Sequence, residues 1–321
     1  MNKFPLISIL TPAYNEAENV EIFYNDLSKI ISINNYKYEW IIIDDHSNDE
    51  TFNIIKSIAK DNPAIHGIRL TKNFGARKAI QAGLKSAKGD IVIIMAVDLQ
   101  DPLELIPELI SRWNNGSKIV WAVRKNDKSY DLINVFSKIY YLIINKIVGF
   151  KNLPLTGTDY YLIDRKVIKE LHLFKESNIN IVLLLMWMGF KQERIYYKKK
   201  DRVYGKSGWT FRKKIDLVID SITSFSSFPI RVMTYSGLIV SIIGFIYSVK
   251  IIYNVLFGVP VEGWSSIMVV TLIIGGLQLI MLGVLGEYIW RNLDESRRRP
   301  LYLIEETIGI EDSIQDDNIN E

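Results

Sequence analysis

Two long, nearly uncharged stretches in the C-terminal part restrict most strongly what this chain can fold into. Residues 234–253 are apolar apart from Lys250, and residues 266–285 carry no charge. Each stretch has about 20 residues, the length that an α-helix needs to cross the hydrocarbon core of a bilayer. Uncharged runs of this length are rare in soluble helices, so a transmembrane hairpin is favoured over a buried helical hairpin.

Basic residues flank this pair of segments and predict its orientation. The linker 254–264 carries a single charge, Glu262. The flanking basic residues are Arg212, Lys213, Lys214 and Arg231 before the pair, and Arg291, Arg297, Arg298 and Arg299 after it. The positive-inside rule places both ends of the hairpin in the cytoplasm. The N-terminal segment lacks the long apolar region of a signal peptide. We therefore expect a multi-pass protein of the inner (cytoplasmic) membrane, with the N-terminal domain and both termini in the cytoplasm.

The first 125 residues alternate β-rich runs with helix-like segments. We predict strands at 6–10, 38–43, 65–70, 90–97 and 118–123, and helices at 17–31, 50–60, 76–87 and 103–114. Such alternation is typical of an α/β fold with a mostly parallel, Rossmann-like sheet whose ligands bind beyond the carboxyl ends of the strands. The polar loops that follow these strands, at 11–16, 44–49, 71–75 and 98–102, are the candidate site.

The predicted organisation is a cytoplasmic domain over residues 1–231, two transmembrane helices over 232–291 and a cytoplasmic tail over 292–321. Segments 130–150 and 216–230 have amphipathic patterns, and each could pack on the domain or lie on the membrane interface. The tail after Leu303 is acidic, and we expect its end to be disordered.

Acidic residues stand where the predicted strands end. Asp44 and Asp45 follow a buried run, and an aspartate there can accept hydrogen bonds from a base imide or a ribose hydroxyl. Ser47 or Asp49 could also cap the next helix, and both interpretations can hold together. Asp98 follows another apolar run, with Gln100 nearby. A carboxylate beside an amide oxygen suits a hard divalent cation that bridges phosphates, such as Mg²⁺ or Mn²⁺.

Other classes of site find little support. The chain has no Walker-type or dinucleotide-type glycine loop, which argues against a kinase, an ATPase or a dehydrogenase. It has no cysteine, which excludes thiolate metal sites. A formal net charge of +3 is too small to argue for a nucleic-acid partner. Basic residues concentrate between 191 and 214, immediately before the hairpin, where an anionic leaflet would attract each of them by about 1 kcal/mol.

Several motifs in this order resemble the polyprenyl-phosphate branch (bactoprenol or dolichol phosphate) of the family 2 glycosyltransferases, which have a GT-A fold. The motifs are Thr11-Pro12-Ala13-Tyr14-Asn15-Glu16, Asp44-Asp45-His46-Ser47, Asn73-Phe74-Gly75, Asp98-Leu99-Gln100-Asp101-Pro102, Gly157-Thr158-Asp159 and Arg202-Val203-Tyr204-Gly205-Lys206-Ser207. Gly263-Trp264-Ser265, Gly275-Gly276-Leu277-Gln278 and Gly286-Glu287-Tyr288 in the hairpin also match. Each motif alone is weak, but their order and spacing together are specific, and the resemblance covers nearly the whole chain.

The resemblance implies roles for individual residues. The implied donor-binding set is Pro12, Tyr14, Glu16, Asp44, Asp45, Lys78, Asp98 and Gln100, and the implied metal ligands are Asp98 and Gln100. The implied catalytic residues are Asp159, on the acceptor side, and Asp98. Arg202, Lys206 and Ser207 would hold the acceptor phosphate. The implied cofactor is Mg²⁺ or Mn²⁺.

The activity that the resemblance implies is transfer of a hexose from a UDP-sugar to undecaprenyl phosphate, with inversion, for modification of cell-envelope glycans. The implied partners are a nucleotide-sugar, a polyprenyl phosphate and the membrane, with no nucleic acid. Gly275, Gly276, Gly283 and Gly286 would allow close helix contacts, so we also expect a homo-oligomer.

Three departures from the family pattern affect the site. Ala96 stands where the family often has the first aspartate of Asp-x-Asp, His46 replaces a common glycine, and Gly208-Trp209 follow Ser207 where the family often has Lys-Tyr. Fewer charged ligands leave more of the metal coordination to water and diphosphate. Two other hypotheses remain at this point: a non-catalytic membrane scaffold or lipid carrier on a degenerate transferase, and a different GT-A polysaccharide synthase.

Overall fold

The computed structural model describes residues 5–125, 159–174, 180–198, 200, 228–258 and 263–310. Among them, one compact unit contains a β-sheet with its helices and includes residues 300–310, and a second contains two long helices. The predicted amphipathic segment 130–150 lies outside the described residues, as does all of 216–230 except its last three residues.

The first unit is built on one eight-stranded mixed sheet. Its strands are β1 (Leu6–Ala13), β2 (Lys37–Asp44), β3 (Ile65–Leu70), β4 (Ile91–Ile94), β5 (Ile119–Arg124), β6 (Tyr160–Asp164), β7 (Gln192–Tyr197) and β8 (Ile304–Ile308), in the order β7-β5-β6-β4-β1-β2-β3-β8. β1 is parallel to β2 and β4, β2 to β3, and β5 to β7. β6 is antiparallel to both of its neighbours, and β8 is antiparallel to β3. The predicted α/β class is confirmed, and all five predicted strands are present.

Helices follow the strands as their apolar periodicity predicts. They are α1 (Ala17–Asn34), α2 (Thr51–Asp61), α3 (Ala76–Ser86), a 3₁₀ turn at Leu103–Leu105 that leads into α4 (Ile106–Asn114), α5 (Arg165–Leu171) and α6 (Ile181–Trp187). On α1, Val20, Phe23 and Leu27 recur at helical spacing and are fully buried. The Phe23 ring stacks on Trp40 of β2 with centroids 5.1 Å apart, which fixes α1 against the sheet.

The acidic segment after Leu303 is structured where the sequence suggested only a tail. β8 pairs with β3, from Ile308 opposite Gly67 to Ile304 opposite Leu70. β3 would otherwise present unpaired backbone groups at the edge of the sheet, and β8 covers them. The two isoleucines of β8 are partly buried, and Glu305 and Glu306 are exposed. The acidic composition of this segment therefore did not indicate the half-buried strand that it forms. Residues 311–321 lie outside the described part of the chain.

The second unit contains α7 (Phe228–Leu256) and α8 (Trp264–Ser296). Both helices are long and apolar enough to cross a membrane, with mean hydropathies of 1.8 over Phe228–Asn254 and 1.6 over Ile273–Ser296. Their large apolar side chains are exposed on many positions, which suits lipid better than water. α8 has 33 residues and is therefore about 50 Å long, longer than a hydrocarbon core of about 30 Å. It extends past the uncharged segment to the Glu287–Arg291 ion pair, 3.0 Å between Oε1 and Nε.

Candidate functional site

The topology gathers the predicted site residues of the first unit at one edge of the sheet. β4, β1 and β2 are adjacent and parallel, so the loops after them start side by side. β6 runs antiparallel to β4, with Tyr161 opposite Ile94, so β6 begins at the edge where β4 ends. Asp159, immediately before β6, therefore lies at the same edge as the loop that carries Asp98. Strand direction thus places at one edge of the sheet two residues that are 61 positions apart in the sequence.

Side chains tie the loop after β1 to the loop after β2. The backbone N–H of Asn15, at φ 54°, donates to Ser47 Oγ at 2.9 Å, and Asn48 N–H donates back to Asn15 Oδ1 at 2.9 Å. The N–H of Glu16 donates to Thr51 Oγ1 at 2.9 Å. Glu16 is half-buried and its Oε2 accepts from Asn19 at 2.5 Å. The predicted donor-binding loops thus form one hydrogen-bonded structure.

Asp45 organises a third loop. One carboxylate oxygen accepts from Phe74 N–H at 2.7 Å and the other from Gly75 N–H at 2.8 Å, while Asp45 is only 3% exposed. Burial raises the pKa of Asp45, and these two hydrogen bonds oppose the rise. Gly75 lies at φ 90°, a conformation that glycine adopts without a steric penalty, and α3 begins at the next residue. Asp45 therefore shapes the loop that leads into α3.

Asp44 is a fully buried carboxylate at the end of β2. Its Oδ1 accepts from Ser47 N–H at 3.0 Å. Within the described part of the chain Oδ2 accepts no hydrogen bond, and Nη1 of Arg69 lies 3.6 Å from it. That separation is an ion pair without a hydrogen bond. Burial raises the pKa of Asp44 against the effects of Ser47 and Arg69. Such a group is costly in free energy, which is typical of functional sites.

His46 adopts a left-handed backbone conformation, with φ 62°. This explains physically why the resembling family commonly has glycine here, because only glycine occupies this region without a penalty of roughly 1 kcal/mol. The His46 ring compensates through Nδ1, which lies 3.0 Å from the carbonyl oxygen of Leu70 and 3.2 Å from Oε2 of Glu305. Both partners are acceptors, so Nδ1 carries the proton.

The loop after β4 holds Asp98 and Gln100. Asp98 is 7% exposed and its Oδ1 accepts from Gln100 N–H at 3.3 Å, across Leu99 at φ 58°. The carbonyl of Gln100 accepts from Lys200 N–H at 3.0 Å, and Lys200 Nζ lies 3.1 Å from Oε1 of Glu104. Lys200, which follows β7 in the chain, is thus held against the Asp98 loop. In the sequence, the basic stretch between 191 and 214 continues beyond Lys200.

Asp159 belongs to a cluster of charged and polar side chains around Arg124. Arg124, at the end of β5, places Nη2 at 3.3 Å from Asp159 Oδ2 and at 3.9 Å from Asp101 Oδ1. The Tyr197 hydroxyl donates to Asp101, and Arg124 Nε lies 3.3 Å from that hydroxyl oxygen. Burial alone would lower the pKa of Arg124, but Asp159 and Asp101 outweigh it and raise that pKa. Burial and Asp101 raise the pKa of Tyr197, so its hydroxyl remains a proton donor.

The donor set at Asp98 fits a hard divalent cation held jointly with a diphosphate. Among the described residues no group of three His, Cys, Asp or Glu side chains could hold a metal by itself. One carboxylate with an amide oxygen of Gln100 is a small set of hard oxygen ligands. Mg²⁺ is commonly bound in this way, through one or two carboxylates plus substrate phosphates.

The remaining predicted residues have different outcomes. Pro12 is the second-last residue of β1, and Tyr14 follows with 42% of its surface exposed. Lys78 is half-buried in the first turn of α3, after the loop that Asp45 holds. Arg202, Lys206 and Ser207 lie outside the described residues.

The sequence did not single out four residues that complete the site: Arg69, Arg124, Tyr197 and Glu305. No local motif marks them, because each lies on a strand and reaches the site only through strand pairing. Their signal is positional: Arg69, Arg124 and Tyr197 stand at or next to the carboxyl ends of strands, as Asp44 does.

Comparisons with known proteins agree with this geometry. A model of the family described as Glycosyl transferase family 2 matches residues 8–172. The chain is 38% identical, over 93% of its length and 98% of the other protein, to a prophage bactoprenol glucosyl transferase homolog of Escherichia coli (strain K12). It is 40% identical to the bactoprenol glucosyl transferase of Shigella phage SfV, over 93% and 97% of the two chains. In fold it is similar to mannosyl-3-phosphoglycerate synthase from Rubrobacter xylanophilus, at 14% identity and a TM-score of 0.50, over 73% of this chain and 75% of that one.

Proposed function

Because the chain belongs to glycosyl transferase family 2, we propose that it transfers a hexose, glucose by analogy with its relatives, from a UDP-sugar to a polyprenyl phosphate such as undecaprenyl phosphate. The observation that carries the proposal is the match to bactoprenol glucosyl transferases over 93% of the chain, which includes the two long apolar helices as well as the sheet. A shared nucleotide-binding sheet alone would leave the acceptor open.

The donor nucleotide binds at the edge formed by the loops after β1 and β2. Asp45, which is 3% exposed, supplies carboxylate oxygens that can accept from an imide N–H or a ribose hydroxyl. Asp44 is fully buried and shapes this loop through the hydrogen bond that it accepts from Ser47 N–H. Pro12, Tyr14 and Glu16 lie on the neighbouring loop, which is tied to this one by Asn15 and Ser47. A ligand at this edge finds a pre-formed site, because several backbone hydrogen bonds already fix the loops.

Asp98 and Gln100 would hold a divalent cation together with the donor diphosphate. When bound, the ion would supply electrostatic stabilisation for the nucleoside diphosphate that leaves. Asp98 orients this arrangement, since its own loop is fixed to Lys200 through Gln100. Ala96, in place of a second carboxylate, leaves a larger share of the coordination to diphosphate and water.

Asp159 orients the acceptor phosphate indirectly, through the Arg124 cation with which it is paired, because a carboxylate and a phosphate dianion repel each other. A phosphate monoester has a second pKa of about 6, so it is largely a dianion at pH 7 and already a nucleophile. Positioning is therefore needed more than deprotonation. Arg124 holds the Asp159 carboxylate at 3.3 Å, and Arg202, Lys206 and Ser207 of the basic stretch bind the acceptor phosphate. A single in-line displacement inverts the anomeric carbon.

The reaction takes place at the cytoplasmic surface of the inner membrane. α7 and α8 anchor the enzyme, with the sheet unit and both termini on the cytoplasmic side by the distribution of basic residues. Glycines of α8 give close helix contacts in a homo-oligomer. The lipid-linked sugar then serves modification of cell-envelope glycans.

The test is transfer by the purified full chain in nanodiscs. A panel of labelled nucleotide-sugars is incubated with undecaprenyl phosphate and Mg²⁺ or Mn²⁺, and lipid products are separated by thin-layer chromatography. We expect a lipid-phosphate hexose whose formation requires the divalent ion. Release of nucleotide without a lipid product, or no turnover with any donor, would reject the proposed acceptor or the activity.

A further inference from the structure

The strand β8, which follows the membrane helices in the chain, reaches back to the loop that begins with Asp44. We propose that Glu305 of β8 is a positioning residue for the donor-nucleotide site, acting through Arg69 and His46 on the loop 44–47. The inference rests on the proposed function, because it takes this loop as the nucleotide site.

A β-bulge aims Glu305 at the loop. Arg69 pairs with Glu306 and Leu70 with Ile304, so Glu305 is an extra residue without a partner in the register. An extra residue of this kind redirects its side chain and is often found next to functional sites. Glu305 Oε2 consequently lies 3.1 Å from Arg69 Nε and 3.2 Å from His46 Nδ1.

Arg69 links Glu305 to the buried end of β2, because it contacts both. Its Nη1 is 3.6 Å from Oδ2 of Asp44, and its Nη2 donates to the Ser47 carbonyl at 3.3 Å. The guanidinium is a rigid, planar fork, so fixing Nε with a carboxylate fixes the direction of both terminal nitrogens. Without Glu305, Arg69 keeps its charge and its position over the Phe52 ring, 5.1 Å from Cζ to the centroid, but loses the carboxylate that holds Nε.

His46 gives Glu305 a second route to the same loop. At φ 62° the backbone of His46 is strained, and its Nδ1–H contacts offset this cost. Of the two contacts described for His46 Nδ1, removing the Glu305 carboxylate leaves the one with the Leu70 carbonyl. His46 stands between Asp45, which fixes the loop before α3, and Ser47, which is bonded to Asn15. A change at Glu305 thus reaches both donor loops.

The adjacent Glu306 offers a matched control. It is 45% exposed against 47% for Glu305, and it too is ion-paired, with Nζ of Lys56 at 2.8 Å. Lys56 lies on α2, and none of the contacts described for Glu306 reaches the loop 44–47. The two glutamates therefore lie on the same strand, are similarly exposed and each form an ion pair. They differ in their partners: Glu306 contacts Lys56 of α2, and Glu305 contacts Arg69 and His46.

The experiment measures the affinity of UDP in the presence of Mn²⁺, by calorimetric titration of the full chain in nanodiscs. We expect Glu305→Gln to weaken UDP binding roughly three- to tenfold, the effect of losing a partly exposed ion pair with Arg69 and weakening a hydrogen bond with His46. Glu306→Gln should change it less than about twofold. In turnover, Glu305→Gln should raise the KM for donor and leave the KM for lipid phosphate unchanged, which a general loss of stability would not do.

Two further variants distinguish the possible failures. In a background that carries both Arg69→Gln and His46→Gly, Glu305→Gln should add little, because both of the contacts through which Glu305 acts are already removed. Equal effects of Glu305→Gln and Glu306→Gln, or full additivity with this double background, would overturn the positioning role. If Asp45→Asn weakens UDP binding while Glu305→Gln does not, only this inference fails. If Asp45→Asn also leaves UDP binding unchanged, the donor site of the proposed function is wrong as well.

Discussion

Replacement of Asp159 by asparagine should separate chemistry from stability. The Asp159 side chain is 60% exposed and its described ion pair is with Arg124, at 3.3 Å. An exposed pair of this kind contributes about 0–1 kcal/mol. Arg124 also keeps Asp101, 3.9 Å away, so the substitution does not strand a buried charge. We therefore expect the midpoint of thermal unfolding to fall by less than about 3 °C.

Turnover should respond very differently. If Asp159 orients the acceptor phosphate, loss of its charge should lower kcat by about 10²-fold or more, since a misplaced reactant costs roughly that factor. Donor binding should remain close to wild type, because the residues proposed to hold the nucleotide lie on the loops after β1, β2 and β4. The assays are labelled transfer to undecaprenyl phosphate in nanodiscs and calorimetric titration of UDP with Mn²⁺.

Asp164, at the other end of β6, is the matched control. Its carboxylate accepts from Trp113 Nε1 at 2.7 Å, Lys118 Nζ at 2.8 Å and Lys166 N–H at 2.8 Å, and caps α5. Asp164→Asn should cost about 2–3 kcal/mol, because it leaves a donor facing donors around a largely buried group. Its unfolding midpoint should fall by roughly 4–10 °C with donor affinity retained. The reasoning is refuted if Asp159→Asn loses donor affinity as much as turnover, or destabilises the fold as much as Asp164→Asn.

Three other outcomes are expected. Asp98→Ala should abolish both transfer and the enhancement of UDP binding by Mg²⁺ or Mn²⁺, and unchanged enhancement in a calorimetric titration would move the metal elsewhere, for example to Asp101. Arg202→Ala should raise the KM for lipid phosphate more than the KM for donor. Arg202→Lys should not fully restore the KM for lipid phosphate, because lysine cannot hold two phosphate oxygens in a planar fork. Lys250→Glu serves as the control, and equal effects of Arg202→Ala on both KM values would contradict the role of Arg202 in binding the acceptor phosphate. Burial raises the pKa of Asp164, but the hydrogen bonds from Lys118 and Trp113 outweigh burial, and the pKa in the folded protein is lowered. The contribution of Asp164 to stability is therefore present above the unfolded pKa of about 3.9 and is lost as the pH falls through the folded pKa. The difference in unfolding midpoint between wild type and Asp164→Asn should accordingly shrink as the pH is lowered from 7 towards 3, and a constant difference would contradict the assignment.

The sequence by itself determined much of the secondary structure of this protein and the strand ends at which the candidate site lies. Short β-rich runs predicted five of the eight strands, and apolar residues at helical spacing predicted the helices between them, because local burial patterns reflect local structure. The two nearly uncharged segments predicted two helices that are long and apolar enough to cross a membrane, for the same reason. Asp44, Asp45 and Asp98 could be selected because each lies at or shortly after the end of a strand: Asp44 ends β2, Asp45 follows it, and Asp98 lies in the loop after β4. The domain boundaries and the roles assigned to single residues stay predictions.

Tertiary structure alone decided which distant residues share the site. Antiparallel insertion of β6 between β4 and β5 brings Asp159 to the edge where β4 ends and gives it Arg124 as a partner. Pairing of β8 with β3 makes part of the acidic tail a strand and places Glu305 in contact with Arg69 and His46. Both depend on strand order and direction, which follow from long-range pairing and leave no periodic trace in the local sequence.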